Sequence, residues 1–185
     1  MGDFMVNFIK NFLGNLLNTR FYWLCVILIS FAFECCGMYF QYVEKLDPCE
    51  KCVYERMAYM GILISGIIGI ILPKILKYPA LLLWGYSAYK GLTISIEHLA
   101  DAQNIFSTCN STIQAHFWIP LDEYIPFMFR PTGQCGASMD WTLFGQGMPW
   151  WIIVSFWGYL IALGISIIWQ IAAYFVKRHR SASNA

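Results

Sequence analysis

The run Phe21–Phe40 is twenty residues long and carries a single charge, Glu34. At 1.5 Å of rise per residue, a helix of that length covers roughly 30 Å, the thickness of a bilayer's hydrocarbon core. Three more apolar runs follow: Met57–Leu72, Pro79–Ile96 and Trp150–Val176. The residues are 58% hydrophobic and only 12% charged, which is more apolar surface than a soluble core of 185 residues can hide. The first run is long for a signal-peptide core. It ends in Cys35-Cys36-Gly37-Met38-Tyr39 without a small-x-small cleavage pattern, so it reads as a retained helix. Gly61, Ser65, Gly66 and Gly69 in the second run let membrane helices approach closely, and Pro149 suits the first turn of the fourth. The sequence predicts an all-α membrane protein. Its single domain over residues 1–185 is a four-helix transmembrane bundle with helices near 21–40, 57–72, 79–96 and 150–176.

Charge orients that bundle. Lys10, Arg20, Lys74, Lys77, Lys177, Arg178 and Arg180 fall on one side; the opposite loops hold Lys45, Lys51, Arg56 and Arg130. The positive-inside rule makes the basic side, with both termini, cytoplasmic. The loops 41–56 and 98–148 then face out, flanked by boundary aromatics such as Tyr39, Phe40, Trp141, Trp150 and Trp151. The second loop is long, and its apolar stretch from Phe117 to Phe129 has room for a short interfacial helix. A net charge of +1 argues against nucleic acid as a partner.

Four of the seven cysteines lie in those outer loops: Cys49, Cys52, Cys109 and Cys135. Three explanations compete: a pair of structural disulfides, a redox relay between the loops, and a metal site. A Cys-x-x-Cys disulfide closes a very small loop and is a poor staple. The spacing is typical of dithiols tuned for exchange, above all where a helix N-terminus favours the thiolate. Cys109 and Cys135 do not form a second Cys-x-x-Cys, so the zinc-knuckle pattern is incomplete and no resident metal is expected. Cys25, Cys35 and Cys36, in the first membrane run, read as small buried hydrophobes.

A dithiol at a membrane surface needs an electron acceptor. The chain has no haem, flavin, nucleotide or iron–sulfur signature, and a lipid-soluble quinone would serve. Arg56, four residues after Cys52, follows it by one turn if a helix starts there. It would hold a quinone carbonyl by a charge-assisted hydrogen bond; the blander reading is a snorkelling cation paired with Glu55. Glu34 and His98 are candidates for handling protons, because ionisable groups in membrane helices are functional hypotheses by default.

These residues together resemble the DsbB family of quinone-linked disulfide oxidases of the bacterial inner membrane. The likeness covers nearly the whole chain. It rests on Pro48-Cys49-x-x-Cys52-x-Tyr54-Glu55-Arg56, Tyr86-Ser87-Ala88, Glu97-His98, Cys109, Pro120-Leu121-Asp122, Pro131-Thr132-Gly133-x-Cys135 and Met148-Pro149. The resemblance implies that Cys109 and Cys135 form the disulfide that accepts electrons from a DsbA-like periplasmic partner of thioredoxin fold. Cys109 is then the residue joined to that partner, within Phe106–Asn110. Electrons would pass to Cys49–Cys52, through a Cys49–Cys135 link, and on to ubiquinone or menaquinone. Cys52, Arg56, His98 and Glu55 are the implied quinone-binding set. The alternatives are a specialised relative serving one dedicated partner and a non-enzymatic membrane scaffold, disulfide-stapled or zinc-binding. Glu50 and Lys51 depart from the family, where apolar residues are common between the first cysteines.

Overall fold

The computed structural model describes residues 19–103, 121–133 and 141–183. Among these, four long helices dominate: α1 (Arg20–Tyr42), α2 (Glu50–Ile71), α3 (Lys77–Gln103) and α6 (Met148–Ser183). Two four-residue helices, α4 (Leu121–Tyr124) and α5 (Pro126–Phe129), lie in the long loop. A small antiparallel hairpin, β1 (Thr142–Leu143) and β2 (Gln146–Gly147), leads into α6. The hairpin turn puts Phe144 and Gly145 at φ 51° and 76°, the left-handed conformation that tight two-residue hairpins require.

The helices extend beyond the apolar runs that announce them. α2 begins at Glu50 rather than near 57, because Cys49 caps it: its sulfur accepts the Cys52 backbone N–H at 3.3 Å. Hydropathy finds the apolar middle of a helix and misses a polar first turn. α3 likewise runs to Gln103, past the expected end at 96. Among the described residues, three helical stretches are long and apolar enough to cross a membrane: Arg20–Tyr42, Glu50–Ile71 and Met148–Ala172. α3 is not among them: within its apolar run Lys90 and the interspersed Tyr86, Ser87 and Tyr89 lower the mean hydropathy.

α2 packs between α1 and α3, and α6 lies against α3. Side-chain hydrogen bonds bring α6 back to the other helices: Tyr22–Ser166 at 2.7 Å and Ser30–Tyr159 at 3.0 Å from α1, and Tyr59–Ser155 from α2. Interhelical bonds of this kind are worth about 0.6–2 kcal/mol each. The centre is filled by Trp23, Ile62, Trp84 and Phe156. The outside is apolar too: Ile161, Ile165 and Ile168 form one exposed stripe along α6, as a lipid-facing surface requires.

Glycines set the helix spacing. A Cβ on Gly69 would fall on the Trp23 ring, and one on Gly91 on the Phe156 ring. Gly91→Ala is therefore expected to force α3 from α6 and to cost about 1–3 kcal/mol, the usual penalty of overpacking. Thermal unfolding in detergent would read this as a lowered midpoint; an unchanged midpoint would mean that Phe156 has room to turn aside.

Candidate active site

The polar end of the bundle is built around the first turn of α2. Pro48 and Cys49 are buried there, and Cys52 is half-buried one turn on. The two sulfurs stand 2.9 Å apart as free thiols. His98, fully buried on α3, points its Nε2 at both sulfurs, 3.5 Å from Cys49 and 3.9 Å from Cys52. Its Nδ1 lies 3.0 Å from Glu55 Oε1. A carboxylate on one ring nitrogen fixes which tautomer and which edge the imidazole offers to the sulfurs. The other carboxylate oxygen of Glu55 is buried without a hydrogen-bond partner among the described residues.

Glu55 thus pairs with His98, not with Arg56 beside it in sequence. Arg56 turns toward α1 and the long loop. Its Nη1 donates to Gln41 Oε1 at 2.6 Å and to the Met128 carbonyl at 3.0 Å, and its Nη2 to the Gly37 carbonyl at 2.8 Å. It is a buried clamp on three elements rather than a snorkelling cation, and these oxygens use three of its five N–H donors. Arg56→Lys keeps the charge and loses the fork. Each lost charged hydrogen bond costs about 1.5–3 kcal/mol. The expected result is faster amide hydrogen exchange at Met128 and Phe129, while exchange in the middle of α3 stays unchanged.

Cys52, Glu55 and Arg56 share a cavity of about 350 Å³. Its other walls come from α1 (Phe33, Phe40), the hairpin region (Trp141) and α6 (Trp151). Tyr59 closes one side, stacked between Phe33 and Phe156. The volume sits near the lower end of the roughly 300–1,000 Å³ usual for ligand pockets, and the mix of aromatic walls with a few polar groups is equally usual. His98 does not line the cavity; it is reached through the sulfurs and Glu55.

The long loop is tied to the same place. Thr132 and Gly133 both donate backbone N–H bonds to the Pro48 carbonyl, at 2.9 and 3.0 Å, and Thr132 Oγ1 bonds Asp47 Oδ1 at 3.3 Å. A Cβ on Gly133 would meet the Asp47 carbonyl, so only glycine lets the two segments approach this closely. Lys51, one of the two charged residues between the cysteines, forms a 2.6 Å ion pair with Glu97 and so reaches the helix that carries His98.

Cys109 and Cys135 lie outside the described residues, as does the stretch Phe106–Asn110. Glu34 is buried in α1, and neither carboxylate oxygen has a hydrogen-bond partner among the described residues. Cys25 is only half-buried and Cys35 and Cys36 are exposed, so these three are not the buried packing residues that the sequence suggested; Cys36 lies on the cavity wall. Position within an apolar run does not say which face of the helix turns outward.

The family model described as "Disulfide bond formation protein DsbB" matches residues 19–166. The chain belongs to the DsbB family. A DsbB-family relative from Photobacterium profundum, named "Disulfide bond formation protein B", is 40% identical over 171 residues, covering 90% of this chain and 95% of the relative. Proteins of the same name from Shewanella loihica and Vibrio parahaemolyticus are 39% and 40% identical, over 81% and 80% of this chain and 90% and 85% of their own lengths. DsbB membership implies a membrane-bound disulfide oxidoreductase, and among the described residues Cys49 and Cys52 stand as a pair of free thiols at the start of α2.

Proposed function

We propose that the chain is a quinone-dependent thiol oxidase of the bacterial inner membrane. It reoxidises a DsbA-like periplasmic dithiol protein and passes the electrons through Cys109–Cys135 and Cys49–Cys52 to ubiquinone or menaquinone. In this reading the chain is one domain with cytoplasmic termini, and α3 crosses the membrane as a fourth span between α2 and α6. The observation that carries it is the position of Cys52, whose residue belongs both to the thiol pair and to the wall of an aromatic cavity.

The cavity fits a quinone ring in size and in character. Arg56 and Glu55 would hold its polar edge, with Cys52 beside it. When bound, a quinone would take up two electrons and two protons as Cys49 and Cys52 close their disulfide. His98 is placed to receive a thiol proton at Nε2, and Glu55 holds the imidazole through Nδ1 and stabilises its charged form. The unpartnered Glu55 oxygen gives that proton a second stopping point on the cavity wall. Arg56 offers fixed positive charge where negative charge would develop.

The clamp at Pro48 supports exchange between the loops. It fastens Gly133 to Pro48, the residue before Cys49, and Cys135 follows Gly133 by two positions in the chain. Exchange between Cys135 and Cys49 then needs little loop-closure entropy.

The test is quinone absorbance followed over time, with purified chain in detergent and a reduced thioredoxin-fold dithiol protein as donor. Consumption of quinone in step with donor oxidation is expected. A folded chain that is inactive with both ubiquinone and menaquinone would overturn the reading and favour a stapled or metal-binding scaffold.

A further inference from the structure

We infer that the reduced Cys49–Cys52 pair and His98 form a three-ligand site for a soft divalent cation of the zinc class, open only while both thiols are free. This rests on the dithiol itself and not on the quinone reading. Cys49 Sγ, Cys52 Sγ and a His98 ring nitrogen all lie within 4.8 Å of one another. Tetrahedral zinc, with bonds of about 2.3 Å to sulfur and 2.0–2.1 Å to nitrogen, sets sulfur–nitrogen edges of about 3.5 Å and a sulfur–sulfur edge of about 3.8 Å. The observed sulfur–nitrogen separations are 3.5 and 3.9 Å, already close to that figure. The sulfurs, 2.9 Å apart, must part by somewhat under an ångström. Half-buried Cys52 borders the cavity and has space to turn.

Two surrounding groups complete the case. Glu55 on His98 Nδ1 is the carboxylate–histidine arrangement that holds a metal-binding imidazole by its far nitrogen. The Cys52 backbone N–H on Cys49 Sγ supports a thiolate there. A fourth position is left for water from the cavity. Binding replaces two thiol protons, which leave to solvent, and no electrons move. The bound pair cannot close its disulfide, so the ion arrests the dithiol in its reduced state. Oxidation of the pair abolishes the site.

Cobalt(II) is the probe. The full chain carrying Cys109→Ser and Cys135→Ser is reduced with a phosphine in detergent under argon, without added quinone, and titrated. The expected result is one equivalent per chain, with the visible bands of tetrahedral cobalt and a thiolate charge-transfer band, displaced by zinc. Cys52→Ser should lose the charge-transfer band, and His98→Ala should weaken binding by about a hundredfold or more. Glu55→Gln, which retains a hydrogen-bond acceptor for Nδ1, should weaken it by about tenfold, the lower end of the range for an outer partner. Equal binding by the oxidised chain, unchanged binding by folded Cys52→Ser, or no tetrahedral cobalt in the folded reduced chain would each overturn the inference. Cobalt bound by a chain that never reduces quinone would leave the site in place and sink the oxidase reading. Quinone reduction by a chain that binds no cobalt would do the reverse.

Discussion

Cys52→Ser is expected to bring quinone reduction down to the uncatalysed rate, whichever donor is used. Serine cannot enter a disulfide, and position 52 borders the cavity proposed for the acceptor. Cys109→Ser should behave differently. It should abolish reduction by the protein donor and spare reduction by a small dithiol that attacks the Cys49–Cys52 disulfide directly, because that route needs only the first pair and the acceptor. The contrast separates electron transfer from stapling. A disulfide closing four residues stabilises by only about 2 kcal/mol on chain-entropy grounds, so its loss should leave the chain folded. If both variants lose activity with every donor in proportion to lost folded protein, the pair is structural. If Cys52→Ser keeps its activity, the cavity beside it is not where the electrons leave.

The sequence carried much of this site because the decisive residues are local. Cys49, Cys52 and Arg56 fall within two turns of one helix, and a Cys-x-x-Cys behind a proline marks where that helix starts. The membrane character was legible for the same reason, since α1, most of α2 and α6 each announce themselves as one continuous run. What sequence could not give is pairing between distant segments. Glu55 lies next to Arg56 in the chain, yet its carboxylate faces His98, forty-three positions away on α3, while Arg56 reaches across to Gly37 and Met128. Successive residues on a helix diverge by about 100°, so neighbours in sequence face different partners. The hairpin before α6 went unseen because two-residue strands have no periodicity, although Gly145 is the kind of residue its turn demands. Lys51 acquires a role only when α3 brings Glu97 beside it.

His98→Ala carries the second large effect, with an expected fall of about 10²–10⁴-fold in quinone reduction, the range for a positioned acid–base group. The argument is geometric. His98 is fully buried, touches both sulfurs, and is held from behind by a carboxylate that is itself buried. A residue serving packing alone would not need its second nitrogen fixed. Removing it leaves a cavity and strands the buried Glu55 carboxyl without its hydrogen-bond partner, so some loss of stability is expected as well. His98→Gln separates the two effects: it fills most of the space and can donate to Glu55, but it cannot accept a proton at neutral pH. If His98 acts on the thiol protons, His98→Gln should recover stability and remain slow, with KM for the protein donor close to that of the parent. It should also regain rate as pH rises and the thiols ionise without help, whereas the parent should change less over the same span. Recovery of both stability and rate in His98→Gln would make the histidine a packing residue and leave the thiol protons to water from the cavity.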